Sequence, residues 1–269
     1  MSGTVYLVGA GPGAADLLTL RAARLLERAD IVFYDALVPA ETLALAPGAL
    51  KVAVGKRCGR RSTAQRFINK RLEDAARKHA VVVRLKGGDP MLFGRAHEEL
   101  SHLRACGVRV EVVPGITAAL AAAAETGISL TRRGAARSVA FLTPRTGEGE
   151  RPNDWVRAAL AADSVAIYMG AGDAASVARA LIDAGKPPAT PVAIVQGASL
   201  PGARRDYGTL DGLEALAVRA CGGGPALILM GEIYREALAS RIIARWRNEP
   251  SSYSRMARAT RSGRARSSG

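Results

Sequence analysis

The residues of this chain that could do chemistry lie where apolar runs stop. Val81-Val82-Val83-Arg84-Leu85-Lys86 leads into Gly87-Gly88-Asp89-Pro90, the composition of a buried strand ending in a ligand-facing loop. Two glycines let backbone N–H and C=O groups approach a ligand, and Pro90 prevents the strand from continuing. Asp89 is thereby left at a strand's carboxyl end, the edge where open α/β sheets bind ligands; a turn with Asp89 as a helix cap is the alternative. Ile31 to Tyr34 likewise ends on Asp35, a carboxylate that could cap the following helix. Lys51 to Val54 runs into Gly55-Lys56-Arg57-Cys58-Gly59-Arg60-Arg61. Four cations in one glycine-bracketed loop suit an anionic substrate, with a solvated loop as the plain alternative.

A competing chemistry comes from the first strand. Thr4 to Val8 enters Gly9-Ala10-Gly11-Pro12-Gly13, and Gly9-x-Gly11-x-x-Ala14 satisfies the relaxed dinucleotide fingerprint, with Asp35 standing where a ribose would be held. A nicotinamide or flavin oxidoreductase is therefore a second reading. Pro12-Gly13 argues against it, since it makes a wider and stiffer turn than one that sets a helix N-terminus on a pyrophosphate.

The elements that must position these residues alternate. Strands are expected at Thr4 to Val8, Ile31 to Tyr34, Lys51 to Val54, Val81 to Leu85 and Arg109 to Val113. Helices are expected over residues 16 to 29, 39 to 46, 62 to 78 and 96 to 105, and in the alanine-rich stretch that ends near Gly127. The pattern then restarts, with five strands beginning near Ser138, Ser164, Pro191, Arg204 and Pro225 and helices between them. The fold class is α/β, two α/β domains each built around a mostly five-stranded sheet. The expected limits are an N-terminal domain over residues 1–131, a C-terminal domain over 132–247 and a basic disordered tail over 248–269.

Composition narrows the functional classes. The formal charge is +14, and from Arg241 onward eight arginines face Glu249 alone, so the chain's C-terminal end from residue 241 holds half of the excess. No aromatic interleaving accompanies that tail, and nucleic acid is not an expected partner, although a tail-driven nucleic-acid binder is the non-enzymatic alternative. No uncharged apolar run approaches the roughly 20 residues that span a bilayer, and no basic segment precedes the first apolar stretch, so a cytoplasmic protein without a membrane partner is expected. Cys58, Cys106 and Cys221 show no metal-like spacing, and His97 and His102 are five apart rather than three or four. No metal is expected.

Taken in order, Val8 to Gly13, Leu17-Leu18-Thr19-Leu20, Tyr34-Asp35, Val54 to Arg57, Arg84 to Pro90 with Phe93-Gly94-Arg95, Val113 to Ala119, Leu130-Thr131, Ala136-Arg137-Ser138, Tyr168-Met169-Gly170 and Pro225 to Ile228 resemble the tetrapyrrole methyltransferases, most closely the branch acting on uroporphyrinogen III. The resemblance covers roughly residues 4 to 235. It implies the tetrapyrrole (class III) methyltransferase fold in a two-domain homodimer, with S-adenosylmethionine bound between the domains. It also implies methylation of two pyrrole carbons of an anionic tetrapyrrole, uroporphyrinogen III, to give precorrin-2 and S-adenosylhomocysteine. A later corrin precursor is the alternative substrate. By position, cofactor contacts would fall on Pro12, Gly87, Gly88, Asp89, Leu92, Thr117, Ala118, Met169, Ala198 and Ala226, and the family's base and acid on Asp35 and Lys56. Plain core packing is the alternative for Met169 and a helix N-cap the alternative for Thr117, and without the resemblance Ala198 and Ala226 are unremarkable. Arg57, Arg60, Arg61, Arg132, Arg133 and Arg137 are candidates to hold the substrate's carboxylates, because guanidinium forks match them. The chain departs from the family where Ala14 and Ala15 precede Asp16, and where Pro144-Arg145 replaces a common Gly-His pair.

Overall fold

The computed structural model describes residues 3–54, 65–147, 153–220 and 224–239. The chain divides into two compact units, Met1–Ala118 and Ala119–Gly269. In the first, β1 (Thr4–Gly9), β2 (Ile31–Tyr34), β3 (Leu50–Ala53), β4 (Val81–Lys86) and β5 (Arg109–Val113) form a sheet in the order β3-β2-β4-β1-β5. Every pairing in it is parallel, so all five strands point their carboxyl ends to one edge. The helices are α1 (Leu20–Glu27), α2 (Ala40–Leu43), α3 (Gln65–Ala76) and α4 (Ala96–Ala105).

Side chains alternate across a strand, and both faces of this sheet are used. Val5, Leu7, Ile31, Phe33 and Val82 pack on one face against Ile68 and Leu72 of α3 and Leu100 and Leu103 of α4. Val8, Val32, Val83 and Leu85 pack on the other against Ala22, Leu25 and Leu26 of α1. Leu7, Leu26, Leu72 and Leu103 are fully buried, each stabilising the unit by about 1.5–3 kcal/mol relative to exposure. Residues 16 to 29 do not form the single helix that periodicity suggested. A short 3-10 turn at Ala15–Leu17 is followed by extended backbone, and Thr19 then caps α1, its Oγ1 accepting from the Ala22 N–H at 3.2 Å.

The second unit carries α5 (Ala118–Thr126), which opens at its boundary, then β6 (Val139–Leu142), α6 (Trp155–Ala161), β7 (Ser164–Ile167), α7 (Ala174–Asp183), β8 (Pro191–Gln196), β9 (Arg204–Thr209), α8 (Leu213–Ala220), β10 (Ala226–Gly231) and α9 (Arg235–Ala239). Its sheet has the order β6-β7-β10-β8-β9. Only β6 and β7 are parallel; β10 runs antiparallel to β7 and β8, and β9 antiparallel to β8. Val165, Ile167, Ile194 and Ile228 face Val177, Leu181, Leu213 and Leu216, while Ala166, Val195, Leu227 and Leu229 face Ala119, Ala122 and Tyr234. Among the described residues, no helix is long and apolar enough to cross a membrane.

Candidate active site

Loops gather at the carboxyl edge of the parallel sheet because every strand ends there. Gly9 to Gly13 follow β1, Asp35 follows β2, Gly87 to Asp89 follow β4, and Pro114 to Thr117 follow β5. Three of these loops are tied together through backbone. The Gly11 N–H donates to the Gly88 carbonyl at 3.2 Å, and the Gly88 N–H donates back to the Gly11 carbonyl at 2.7 Å. Asp89 braces the third loop: its Oδ2 accepts from the Gly115 N–H at 2.9 Å, and its Oδ1 accepts from the Met91 N–H at 2.8 Å. A Cβ on Gly115 would stand 2.4 Å from the Gly88 carbonyl oxygen and 2.8 Å from the Gly9 Cα, so only glycine permits this approach. Gly88 itself sits at φ +67°, a conformation costly for any residue with a Cβ. Beside Gly87 and Gly88 there is room: a Cβ there would meet only Leu37 at 3.5 Å and Thr117 Cα at 3.9 Å, respectively. Pro12, Leu92, Thr117 and Ala118 are half-buried in or next to these loops.

Asp35 belongs to a charged network that the sequence reading did not assemble. Strand parity puts Arg84 and Lys86 on the same face as Val82, toward α3 and α4, and β2 leads Asp35 out beside them. Arg84 Nη2 donates to Asp35 Oδ1 at 2.6 Å, and Arg84 Nε donates to Glu99 Oε1 at 3.1 Å. Lys86 Nζ donates to both oxygens of Glu99 at 3.1 and 3.0 Å, and Gln65 Nε2 adds a bond to Glu99 Oε1 at 3.1 Å. The side chains of Glu99, Arg84 and Lys86 are 0%, 3% and 4% exposed, whereas that of Asp35 is 29% exposed. Two cations and two carboxylates therefore balance at the end of an otherwise apolar face. Burial, and then the neighbouring Arg84 charge, push the Lys86 ammonium below the usual lysine range. Asp35 does not cap the short helix that follows, whose N-cap is Pro39; its carboxylate is aimed by Arg84 and still reaches solvent. Arg84 was visible in the sequence as the one charge inside Val81 to Leu85, the signal that could have led to its partners.

In the second unit, Met169 follows β7, Ala198 follows β8, and Ala226 opens β10, paired with Gln196. Antiparallel pairing brings the start of β10 to the edge where β7 and β8 end, so the three share one end of that sheet. Met169 is 48% exposed at φ +58°, which rules out plain core packing and marks a strained position. Ala198 is buried and Ala226 half-buried. Arg132, Arg133 and Arg137 lie on the exposed segment before β6. Arg132 Nη1 pairs with Glu236 Oε1 at 2.8 Å, and Asp163 Oδ2 holds the Arg137 and Ser138 N–H groups at 2.8 and 2.9 Å. These bonds also hold the Asp163 carboxyl below its ordinary range. Lys56, Arg57, Arg60 and Arg61 lie outside the described residues, as do the expected cap of α3 and the basic tail.

The glycine loop after β1 does not have the geometry of a pyrophosphate site. Such sites set the phosphate on a helix N-terminus that opens at the glycines, whereas here α1 opens at Leu20, capped by Thr19, well past Gly13. Gly11 is instead engaged with Gly88. What remains is an α/β protein whose ligand edge is built from closely joined, glycine-opened loops beside a carboxylate held by a buried arginine, a site suited to gripping a small molecule through backbone.

Comparison with known proteins places that architecture. Residues 4–214 match the family model of the tetrapyrrole (corrin/porphyrin) methylases, and the chain belongs to this family. It is 46% identical over 232 residues to a siroheme synthase of Psychrobacter sp. (strain PRwf-1), covering 86% of this chain and 48% of that protein. The chain thus spans about half the length of the curated relatives it matches. Among solved structures, uroporphyrin-III C-methyltransferase of Thermus thermophilus complexed with S-adenosylhomocysteine superposes with a TM-score of 0.75 at 43% identity, covering 87% of this chain and 100% of that one. A cobalt precorrin-4 methyltransferase of cobalamin biosynthesis gives a TM-score of 0.75 at 29% identity, over 86% of this chain and 95% of its own.

Proposed function

We propose that this chain transfers methyl groups from S-adenosylmethionine to two pyrrole carbons of uroporphyrinogen III, giving precorrin-2 by way of precorrin-1, in the route to sirohaem. The observation that carries this reading is the 43% identity across the whole of a uroporphyrin-III C-methyltransferase, well above the 29% shared with the enzyme named for a later corrin precursor.

The residues present suit the donor. S-adenosylmethionine supplies an already electrophilic methyl group, so the protein's task is alignment, and the exposed backbone beside Gly87 and Gly88 offers donors and acceptors without bulk. We assign donor contacts to Pro12, Gly87, Gly88, Asp89, Leu92, Thr117 and Ala118, and in the second unit to Met169, Ala198 and Ala226. When a pyrrole carbon takes the methyl group, the ring becomes cationic and must lose a proton. Asp35, oriented by Arg84, accepts it in this reading, and Lys56 is the matching acid. Arg57, Arg60, Arg61, Arg132, Arg133 and Arg137 would meet the acetates and propionates. The homodimer rests on the family resemblance, the cytoplasmic setting and the domain limits at 131 and 247 rest on the sequence pattern, and all three belong to the same proposal.

The test is incubation of the full chain with S-adenosylmethionine and uroporphyrinogen III under reducing, anaerobic conditions, followed by mass analysis of the tetrapyrrole. A gain of two methyl groups is expected. An unmethylated substrate, in a preparation that binds S-adenosylhomocysteine, refutes the substrate; methylation of a later corrin precursor instead would select that alternative.

A further inference from the structure

On the outer side of the first unit, α3 and α4 bring together three side chains of different chemistry. His102 lies in the last turn of α4 and Cys106 is the residue that caps it, four positions on, so both fall on one helical face. Glu73 reaches them from α3. His102 Nε2 stands 3.2 Å from Glu73 Oε2 and 3.8 Å from Cys106 Sγ, and all three ligand atoms lie within 4.8 Å of one another. A tetrahedral zinc ion bound by nitrogen, oxygen and sulfur requires ligand separations of about 3.3 to 3.6 Å, so the first two contacts need move by only a few tenths of an ångström. The histidine spacing read from the sequence concealed this set, because the partner of His102 is a cysteine one helical turn away and a carboxylate from another helix.

We propose that Glu73, His102 and Cys106 form a binding site for one zinc-class divalent cation, with solvent completing the fourth position. The surroundings support the division of roles. Glu73 is nearly buried, with its side chain 7% exposed, while that of His102 is 32% exposed and Cys106 is open to solvent. The cations on α3 engage Glu73 through its other oxygen: Lys70 Nζ sits 3.1 Å from Oε1, and Arg77 pairs with the same atom. Asp74 Oδ1 also holds Lys70 at 3.0 Å, so Oε2 is the oxygen turned to the site. Lys70 and Arg77 weaken attraction for a dication, and the two negative ligands, Glu73 and a Cys106 thiolate, offset them.

Binding exchanges a proton for the metal. The Cys106 thiol gives up its S–H proton to solvent as the metal–sulfur bond forms, and no oxidant or reductant is involved. Because its ligands must be deprotonated to bind, the metal is displaced as pH falls. Occupancy would pin α3 to α4, the pair of helices that also meets where Gln65 bonds Glu99.

The experiment is titration of the full chain with Co²⁺, read by the thiolate-to-cobalt charge-transfer absorption and reversed with Zn²⁺. One equivalent should saturate the band in the wild type and in a Cys58→Ser/Cys221→Ser variant. Cys106→Ser should abolish it, and His102→Ala should weaken binding by at least about tenfold. A band that survives Cys106→Ser, or no saturable band in a chain that melts cooperatively, overturns the proposal. Because the readout is spectroscopic, neither result depends on methyl transfer.

Discussion

Glu99→Gln is the substitution that interrogates the first unit most severely. Glutamine keeps the shape and one acceptor oxygen but removes the negative charge between Arg84 and Lys86, which are 3% and 4% exposed. Asp35 alone then faces two buried cations. Removing one partner from a buried ion pair costs roughly 3–5 kcal/mol, a large part of the roughly 5–15 kcal/mol that holds a folded protein together. For a unit spanning Met1–Ala118 that corresponds to a fall in melting temperature of roughly 12–20 °C, at about 4 °C per kcal/mol.

The sign of the pH effect follows from Lys86. Its folded-state value lies below the free-lysine 10.5, and Glu99 is one of the groups raising it. A lysine depressed on folding binds fewer protons folded than unfolded between its two values, so its cost is full at low pH and is relieved as pH rises. Without Glu99 the depression deepens. The gap between wild type and Glu99→Gln should therefore narrow as pH is raised from about 7 toward 10.5. Urea unfolding across that range measures it, and Lys86→Met in the Glu99→Gln background should recover part of the loss by removing the stranded cation. A Glu99→Gln loss below about 0.5 kcal/mol, or a gap that widens with pH, would refute the network as described.

Three further outcomes are expected. Gly115→Ala places a Cβ 2.4 Å from the Gly88 carbonyl and should force the two loops apart, abolishing S-adenosylhomocysteine binding by calorimetry while the chain still unfolds cooperatively. Met169→Gly relieves a non-glycine residue at φ +58° and should leave stability unchanged or higher by about 1 kcal/mol, with weaker donor binding; a marked drop in melting temperature would contradict the exposed, strained description. Tyr234→Phe removes a buried hydroxyl that has no hydrogen-bond partner among the described residues, and chemical denaturation should show equal or greater stability, by up to about 1 kcal/mol.

Most of the strands are legible in the sequence, because buried strands such as β1, β4 and β8 are continuous apolar runs whose ends are punctuated by glycine, proline or polar residues. Val81 to Leu85 and its Gly87-Gly88-Asp89-Pro90 ending could be read directly, and so could the restart of the pattern that makes the second unit. Local signals also misled. Periodicity through residues 16 to 29 hid the break before Thr19, whose side chain offers the helix a better start than the residues ahead of it. The roles of Arg84, Lys86 and Asp89, by contrast, emerge only once the chain is folded. Arg84 and Lys86 lie on the face that meets α4, where Glu99 waits thirteen or more residues away, and Asp89 spends its carboxylate on the Gly115 N–H, 26 residues on. Such partners are joined by strand order and sheet register, which bring distant residues to one edge. The antiparallel β10 that sets Ala226 beside the ends of β7 and β8 was hidden for the same reason, since strand direction is fixed by how the chain returns across the sheet rather than by the residues of the strand.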